Sequence, residues 1–298
     1  MNLLITGSSG FIGSNLINEL ELIKKHFDNI YLLSNKEIEG YTCIKYENYN
    51  FNKKIFSHIK SIDVVIHIGG YIPKISSEGN VISLCNSNIT STFDLIESLP
   101  NLPSKFIFIS TTDIYENSEV IDENSKIKPI SLYASSKLYC EEMLKAWAEE
   151  KNVCLQILRL GHVYGIGEYK YKKIIPIIIN KIIKNEVIQL YSNGMQKRAY
   201  INVKDCCRLI LNSLKLEKFV EPINIVSSTS ISMIDLIELL FEISLKKVPI
   251  KRINGSSDLR SINYNNEKMI KYLGKDTISL SEGLKEEYDC FLKLLNKN

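Results

Sequence analysis

The chain opens with Asn2-Leu-Leu-Ile-Thr-Gly7-Ser-Ser-Gly10-Phe-Ile-Gly13. A short apolar run ends at Thr6, glycines follow at every third position, and apolar residues then recur at helical spacing. A glycine-rich turn between a strand and a helix lets the backbone approach a pyrophosphate, and the helix N-terminus offers free N–H groups and a positive dipole end. The opening residues therefore predict a dinucleotide-binding turn.

The same alternation of apolar runs and helical patterns continues to about residue 165. The pattern predicts further strands over 29–33, 42–46, 62–68, 105–110 and 153–159, with helices over 81–99 and 131–151. Strands that are apolar almost throughout, separated by helices, indicate a parallel sheet covered on both faces. We therefore expect an α/β fold with a doubly wound parallel sheet.

The pattern is looser in the C-terminal half. It predicts helices over 174–184, from 205, over 232–243 and over 282–295, and strands over 200–203 and 222–226. The tail beyond Lys246 is polar and is expected to be irregular until about residue 282. We expect residues 1–165 to bind the dinucleotide, with elements near 200–226 returning to that domain. Residues 166–298 would mainly form a smaller substrate-binding lobe.

Composition excludes several classes of function. The 298 residues carry a net charge of +3 from scattered basic residues, which argues against a nucleic-acid partner. The seven cysteines lack any C-x-x-C spacing, which favours reduced thiols and no metal site. The N-terminus lacks a secretion signal, and the most apolar stretch, 174–183, is far shorter than the roughly 20 residues that span a bilayer. These observations predict a cytoplasmic protein without a membrane partner.

The end of the second predicted strand bears on the choice between NADP and NAD. An acidic residue there commonly holds the adenosine ribose. Here the position reads Ser34-Asn35-Lys36, and the first carboxylate is Glu37. The missing acid removes a repulsion against a 2′-phosphate, which Ser34 and Lys36 could bind, so NADP is favoured. The alternative is NAD held by Asn35.

Tyr133 and Lys137 lie one helical turn apart and share a face. A phenol with a pKa of about 10 becomes useful near neutrality when a neighbouring ammonium favours its phenolate. Six of the 16 tyrosines have a lysine four residues later, but only Tyr133 begins the helix that follows the fifth strand. That strand ends in Ser110-Thr111-Thr112, whose hydroxyls could bond a substrate oxygen while Tyr133 moves the proton.

These residues form part of a longer ordered set. In chain order it comprises Gly7/Gly10/Gly13, His67-Ile-Gly-Gly70, Asn88, Ser110-Thr111, Tyr133-x-x-x-Lys137, Arg159-Leu-Gly-His-Val-Tyr-Gly165 and Arg198-Ala-Tyr-Ile-Asn-Val-Lys-Asp205. From residue 1 to about 275 the chain resembles the extended short-chain dehydrogenase/reductase family, in its nucleotide-sugar epimerase/dehydratase group. The resemblance implies a Rossmann-type sheet, a lobe that holds a nucleoside-diphosphate sugar, and hydride transfer to or from a nicotinamide. It also implies a homodimer formed through two helices of each subunit.

The resemblance extends to individual residues. It implies that Thr111 polarises the sugar oxygen, Tyr133 is the acid/base, and Lys137 tunes Tyr133 and holds the ribose. The full set expected to bind the cofactor is Gly7, Gly10, Phe11, Ile12, Gly13, Ser34, Asn35, Lys36, Asn48, Tyr49, Ile68, Gly69, Gly70, Asn88, Ser110, Tyr133, Lys137 and Leu160. The set expected to bind the substrate is Thr112, Asp113, His162, Arg198, Tyr200 and Arg260. His67 is expected to be a packed residue, and Lys170 to Lys173 a solvated face.

The sequence also bears on the reaction. Sugar 4,6-dehydratases of this group carry an Asp-Glu pair directly after the active-site Thr, whereas Thr111 is followed here by Thr112 and Asp113. Dehydration is therefore disfavoured, which leaves C4 epimerisation or reduction of a 4-keto sugar. The Ser-Asn-Lys ending favours reduction, and the abundance of epimerases in the group favours epimerisation.

Two other classes stay open. An oxidoreductase of the same fold acting on a non-sugar carbonyl would not need Arg198 and Arg260. A non-catalytic dinucleotide sensor typically loses the Tyr/Lys pair, which this chain keeps.

Overall fold

The computed structural model of the chain describes residues 1–46, 51–73, 76–191, 193–253 and 261–295. Three expected site residues, Asn48, Tyr49 and Arg260, lie outside the described residues. The strands are β1 (Asn2–Thr6), β2 (Asn29–Leu33), β3 (Thr42–Ile44), β4 (Val64–His67), β5 (Lys105–Thr111), β6 (Cys154–Leu160), β7 (His162–Tyr164), β8 (Ile188–Tyr191), β9 (Lys197–Asn202), β10 (Val220–Ile225), β11 (Ser230–Ser232) and β12 (Ile250–Ile253). The helices are α1 (Phe11–Leu20), α2 (Ile82–Ser98), α3 (Leu132–Lys151), α4 (Ile174–Ile183), α5 (Val203–Asn212), α6 (Met233–Ser244), α7 (Glu267–Tyr272) and α8 (Leu280–Leu295).

Seven strands form the main sheet, in the order β10-β6-β5-β4-β1-β2-β3. All of its neighbouring pairs run parallel. The chain adds strands outward from β1 in one direction, then returns to place β4 on the other side of β1 and continues outward. This reversal confirms the expected doubly wound, Rossmann-type α/β fold. Ligands of such sheets bind at the carboxyl ends of the strands beside the reversal, here between β1 and β4.

Both faces of this sheet are buried. Leu3 and Ile5 of β1 pack in an apolar cluster with α1 and α5, while the intervening Leu4 packs in a second cluster with α2 and α3. Alternate residues of each strand thus face two different helix layers, which explains the nearly continuous apolar runs in the sequence.

The C-terminal half contributes to more than one layer. Strand β10 pairs with β6 in the main sheet, and α5 packs with α1. Helices α4, α6 and α8 surround a separate apolar cluster together with β8. Strands β11, β9 and β7 form a small sheet that connects this cluster to the main one. Among the described helices, none is long and apolar enough to cross a bilayer.

The expectation of an irregular tail after Lys246 is wrong. Strand β12 pairs in parallel with β8, and α7 follows it. The sequence Ile-Lys-Arg-Ile of β12 places two charges between its apolar ends, and α7 has only six residues, so neither gives a periodic signal.

Candidate active site

The carboxyl ends of four central strands meet at one edge of the sheet. Thr6 ends β1 beside His67 at the end of β4, and Thr111 ends β5 beside Leu160 at the end of β6. The glycine-rich turn follows Thr6, and Ile68, Gly69 and Gly70 follow His67. The expected cofactor residues of both segments are therefore brought together.

Backbone packing explains the glycines of the turn. Gly7 has φ +70°, and a Cβ built on it would lie 2.6 Å from the backbone nitrogen of Gly69. A Cβ on Gly13 would lie 2.1 Å from the carbonyl oxygen of Gly7. Gly10 precedes α1 without a side-chain cap, and the first turn of α1 holds no acidic residue. The N-terminus of α1 is thus shaped to receive an anion such as a pyrophosphate.

His67 is held inside the sheet edge by two threonines. The Gly69 N–H donates to Thr6 Oγ1 at 2.9 Å, and Thr6 Oγ1 lies 2.6 Å from His67 Nδ1. Thr92 Oγ1 lies 3.0 Å from His67 Nε2 and donates to the Asn88 carbonyl at 2.7 Å. Thr92 must therefore accept from Nε2–H, and Thr6 must donate to Nδ1. Burial and the charge of Lys137 lower the pKa of His67 to about 3, so His67 is a neutral, packed residue.

Asn88 joins the loop after β4 to α3. Its Oδ1 accepts from the Tyr71 N–H at 2.6 Å, and its Nδ2 donates to Ser136 Oγ at 3.2 Å. Ser136 Oγ donates to the carbonyl of Tyr133 at 2.7 Å. The position of Tyr133 is therefore tied to the loop that contains Gly69 and Gly70.

Tyr133 and Lys137 occupy a poorly solvated place in the first turns of α3. Burial raises the pKa of Tyr133 above its ordinary value, and Asp113 adds to the rise. Burial lowers the pKa of Lys137 to about 8, and its Nζ lies 4.1 Å from the centre of the Phe108 ring. The sequence predicts that the ammonium favours the phenolate. In the structure desolvation dominates, so the phenol holds its proton at neutral pH.

The three consecutive hydroxyls at the carboxyl end of β5, those of Ser110, Thr111 and Thr112, have different partners. Ser110 donates to Glu141, away from the sheet edge, and Thr112 Oγ1 bonds Tyr264 Oη at 2.9 Å. Thr111 Oγ1 accepts from the Asp113 N–H at 3.2 Å, and its hydroxyl also hydrogen-bonds the Asp113 carboxyl, which opposes the rise of that carboxyl's pKa. A ligand oxygen that takes the hydrogen of the Thr111 hydroxyl would therefore replace the Asp113 carboxyl as its partner.

A buried ion pair beneath the site escapes sequence reasoning. Arg159 on β6 and Glu141 on α3 are 5% and 0% exposed, and Arg159 Nη2 donates to Glu141 Oε2 at 2.6 Å. Arg159 Nη1 also donates to Tyr115 Oη at 2.7 Å, and Tyr115 donates to Asn224 Oδ1 on β10 at 2.9 Å. This network joins α3 to β6 and β10 just below Thr111. Glu141 lies in a run of helical charges, so the sequence gives no sign that it is buried.

Four expected substrate residues share one polar region beside Tyr133. His162 on β7 lies opposite Tyr200 on β9, with ring centres 6.0 Å apart. Burial, together with the positive charges of Arg198 and Lys173, lowers the pKa of His162 to about 4. Burial raises the pKa of Asp113, against the opposing effect of Lys173 and Arg198.

Tyr200 is buried, and its hydroxyl has no hydrogen-bond partner among the described residues. In the same part of the chain, no group of three or more His, Cys, Asp or Glu side chains is placed to hold a metal.

In the turn after β2, two of the residues expected to select NADP make hydrogen bonds to the protein backbone. The Ser34 hydroxyl is fully buried, donates to the Lys36 carbonyl at 2.9 Å and accepts from the Lys36 N–H at 3.0 Å. Asn35 Oδ1 accepts from the Tyr46 N–H at 2.9 Å. Asn35 and Lys36 are both exposed, and Lys36 is the cation of the three.

The segment 170–173 is only partly the solvated face expected from its lysines. Lys170 and Lys172 are exposed, but Tyr171 and Lys173 are half-buried. Lys173 Nζ lies 3.4 Å from Glu168, and Tyr171 Oη accepts from the Phe11 N–H at 3.3 Å. These contacts bring the segment onto the glycine-rich turn.

Comparison with known proteins finds relatives that are similar in sequence over most of the chain. The dTDP-D-glucose 4,6-dehydratase of Dictyostelium discoideum is 28% identical over 273 residues, which are 82% of this chain and 62% of that protein. The chain thus spans less than two thirds of that relative's length.

Two solved structures cover the chain almost completely. The UDP-glucose 4-epimerase of Thermotoga maritima, solved with UDP-glucose, has 27% identity and a TM-score of 0.85, covering 99% of this chain and 100% of its own. The UDP-glucuronic acid 4-epimerase of Bacillus cereus, solved with UDP-glucuronic acid and NAD, has 25% identity, a TM-score of 0.86 and the same coverage.

The model of the NAD dependent epimerase/dehydratase family matches residues 3–226, from β1 to the residue after β10. That span contains the glycine-rich turn, the edge of the sheet and the Tyr133–Lys137 helix. The chain belongs to this family and is an NAD-dependent enzyme of the extended short-chain dehydrogenase/reductase type.

Proposed function

We propose that the chain is a nucleotide-sugar 4-epimerase that uses a bound NAD. The observation that carries this proposal is the arrangement of Thr111, Tyr133 and Lys137 at the sheet edge that also holds the glycine-rich turn. Thr111 carries its hydroxyl beside Asp113 at this edge, and Tyr133 holds a proton at neutral pH. Lys137 has a charge that is easily lost. This is the set that moves a proton at a sugar hydroxyl while a hydride leaves or returns at the same carbon.

The residues around α1 fit the pyrophosphate of a dinucleotide. A Cβ on Gly10 would meet the Gly7 carbonyl oxygen at 3.2 Å and no other atom of the described residues within 4 Å, so the backbone at Gly10 is open to a ligand, while the Tyr171 hydroxyl lies at the Phe11 N–H. The backbone of Gly10, Phe11 and Ile12 would hold the pyrophosphate, and Gly69 and Gly70 would lie along the cofactor. When bound, the nicotinamide supplies the acceptor and donor of the hydride.

The side chains would divide the remaining chemistry. Tyr133 would accept the proton of the sugar 4-hydroxyl as that carbon is oxidised and return it afterwards. Thr111 would donate a hydrogen bond to the same oxygen and stabilise the charge that develops there. Lys137 would hold the ribose, and its ammonium together with the positive charge of the oxidised nicotinamide would lower the pKa of Tyr133 and favour its phenolate. Asp113, His162, Arg198 and Tyr200 would bind the substrate.

Two observations support NAD and epimerisation over NADP and reduction. The Ser34 hydroxyl bonds Lys36 within its own turn, so it is already used before a 2′-phosphate could reach it. The Bacillus cereus epimerase, which shares the fold over nearly the whole chain, was solved with NAD. Dehydration stays disfavoured because Thr112 stands where dehydratases carry an acid and its hydroxyl bonds Tyr264.

One observation favours a second candidate, an NADP-dependent reductase of 4-keto sugars. Residues 34–36 contain no carboxylate, and the exposed Lys36 could meet a 2′-phosphate. The dinucleotide released from the purified, denatured protein separates the candidates. Stoichiometric NAD is expected for the epimerase, because it must retain its cofactor through each turnover. An empty site with selective affinity for NADPH would support the reductase instead.

The expected homodimer is supported by an exposed apolar surface on α2 and α3. Ile82 and Phe93 on α2 are 75% and 45% exposed, and Tyr139 on α3 is 57% exposed. A second copy of the chain that packed the same two helices against these would bury them in a four-helix arrangement. Sedimentation velocity is expected to show a dimer, and Phe93→Glu is expected to shift it toward monomer. A wild-type protein that sediments as a monomer at micromolar concentration would contradict the homodimer.

A further inference from the structure

The segment 165–173, called the strap from here on, runs from β7 to α4 across the N-terminus of α1. Asn15 of α1 donates from Nδ2 to the Ile166 carbonyl at 2.9 Å. Gly167 has φ +101°, and a Cβ built on it would touch the Phe11 ring at 3.5 Å. The strap therefore lies in direct contact with the first turn of α1.

Tyr171 makes the contact closest to the anion-binding end of α1. Its hydroxyl oxygen accepts from the Phe11 N–H at 3.3 Å, and the two rings lie 6.1 Å apart. Phe11 is the first residue of α1, so its N–H is one of the donors that the helix itself does not use. Because the hydroxyl accepts this bond, its own hydrogen stays available for donation to a ligand.

The strap is held in place from its other side. The Tyr171 N–H donates to the Glu168 carbonyl at 2.8 Å, and the Glu168 N–H donates to the Gly165 carbonyl at 3.0 Å. The Glu168 side chain is 3% exposed and lies 3.4 Å from Lys173 Nζ. The backbone that carries Tyr171 is therefore fixed before any ligand binds.

From this geometry we infer that Tyr171 binds the pyrophosphate of the dinucleotide and slows its release. A phosphate oxygen arriving at the N-terminus of α1 takes the Phe11 N–H, and the Tyr171 hydroxyl then donates to the same phosphate. A hydrogen bond to an anion is stronger than one between neutral groups, so removing it is expected to weaken binding by roughly 10-fold. The inference rests on the proposed function, because it requires a bound dinucleotide.

The test compares Tyr171→Phe with Tyr169→Phe. The first variant keeps the ring against Phe11 and loses only the hydroxyl. The second is a matched control on the same strap, because Tyr169 packs against Phe291 at 5.9 Å and is 38% exposed. Calorimetry on cofactor-free protein would measure the affinities for NADH and ADP-ribose. Competition against NADH would measure the affinity for adenosine.

Tyr171→Phe is expected to weaken the binding of NADH and of ADP-ribose by the same factor of roughly 10 and to speed NADH release. The affinity for adenosine and the Tm of the protein are expected to stay unchanged. Tyr169→Phe is expected to match the wild type. Equal affinity in Tyr171→Phe and wild type would overturn the inference. A loss for NADH alone, or an equal loss for adenosine, would also overturn it, since neither result involves the pyrophosphate. If the wild type itself binds no dinucleotide, it is the proposed function that fails.

Discussion

Lys137 Nζ lies 4.1 Å from the centre of the Phe108 ring, at the buried end of the expected catalytic pair. Phe108 is fully buried and Lys137 is 6% exposed, so the ammonium has lost most of its water. The cation–π contact with the ring face partly compensates the ammonium for this lost hydration. Burial outweighs the opposing charges of Cys140 and Glu141 and lowers the pKa of Lys137 to about 8.

Cofactor affinity is therefore expected to depend on pH through Lys137. Only the ammonium makes charge-assisted hydrogen bonds to the ribose hydroxyls, so NADH affinity of the cofactor-free protein falls as pH rises through about 8. Lys137→Met is expected to bind NADH more weakly at pH 7 and to lose this pH dependence. Lys145→Met is a matched control on the same helix, where Lys145 pairs with Glu142. An unchanged pH profile in Lys137→Met would contradict the assignment.

Tyr133→Phe is expected to lower turnover by about 100-fold or more, because the proton of the sugar hydroxyl loses its acceptor. NADH binding, measured by fluorescence, is expected to stay near the wild-type value. Tyr272→Phe, an exposed tyrosine on α7 and outside the proposed dimer surface, serves as the control. A near-normal rate in Tyr133→Phe would exclude Tyr133 as the acid/base.

Glu141→Gln is expected to destabilise the protein by about 3 kcal/mol or more, because it leaves the Arg159 guanidinium buried beside a neutral partner. Urea unfolding measures the change in the free energy of unfolding. Glu142→Gln breaks the exposed pair with Lys145 next to it and is expected to change that free energy by less than about 1 kcal/mol. If the two variants were equally stable, the buried pair would have no special role beneath the site.

Glu287 on α8 makes stability depend on pH in the alkaline direction. It is 1% exposed, and the Gly165 N–H approaches its carboxyl group. Burial and the Glu168 carboxyl together raise its pKa to about 9, against the opposing effects of Lys173 and the Gly165 N–H. Tyr164 and Cys290 also lie within its electrostatic reach. The folded state therefore binds a proton that the unfolded state releases above its ordinary pKa of 4.5.

The contribution of Glu287 to the free energy of unfolding is fully present below pH 4.5 and is lost as the pH rises toward 9. Between pH 6 and pH 9 the Tm of wild type is expected to fall more steeply than that of Glu287→Gln, which carries no proton to lose. Glu286→Gln removes only an exposed ion pair with Lys204 and is expected to follow the wild type. Parallel Tm profiles of wild type and Glu287→Gln would contradict this prediction, because they would show that ionisation of Glu287 does not destabilise the folded protein.

The features that can be predicted from the sequence are those formed by residues close together in the chain. The glycine-rich turn lies within seven residues, and Tyr133 and Lys137 lie one helical turn apart. Their meeting at one sheet edge follows from the parallel order of the strands, which apolar runs and helices already indicate. The fold and the expected catalytic pair are predictable for that reason.

The features that sequence misses depend on contacts between distant residues. Phe11 and Tyr171 are 160 positions apart, and nothing in the run Glu168 to Lys173 shows that part of it is buried. Glu141 and Glu287 look like ordinary surface charges on amphipathic helices. Ser34 looks free to bind a phosphate, and only the structure shows that its hydroxyl bonds the backbone of Lys36.

The most direct test follows the hydrogen itself. Nucleotide sugars deuterated at C4 would be incubated with the protein, starting with UDP-glucose, UDP-glucuronic acid and dTDP-glucose, and the product sugar would be analysed by mass spectrometry. We expect conversion with at least one of these sugars and a product that keeps its deuterium at C4, because the hydride passes to the nicotinamide and back, and we expect no conversion by Tyr133→Phe within the same time. A product whose C4 deuterium has been replaced by hydrogen from water would contradict hydride transfer as the chemistry of this site.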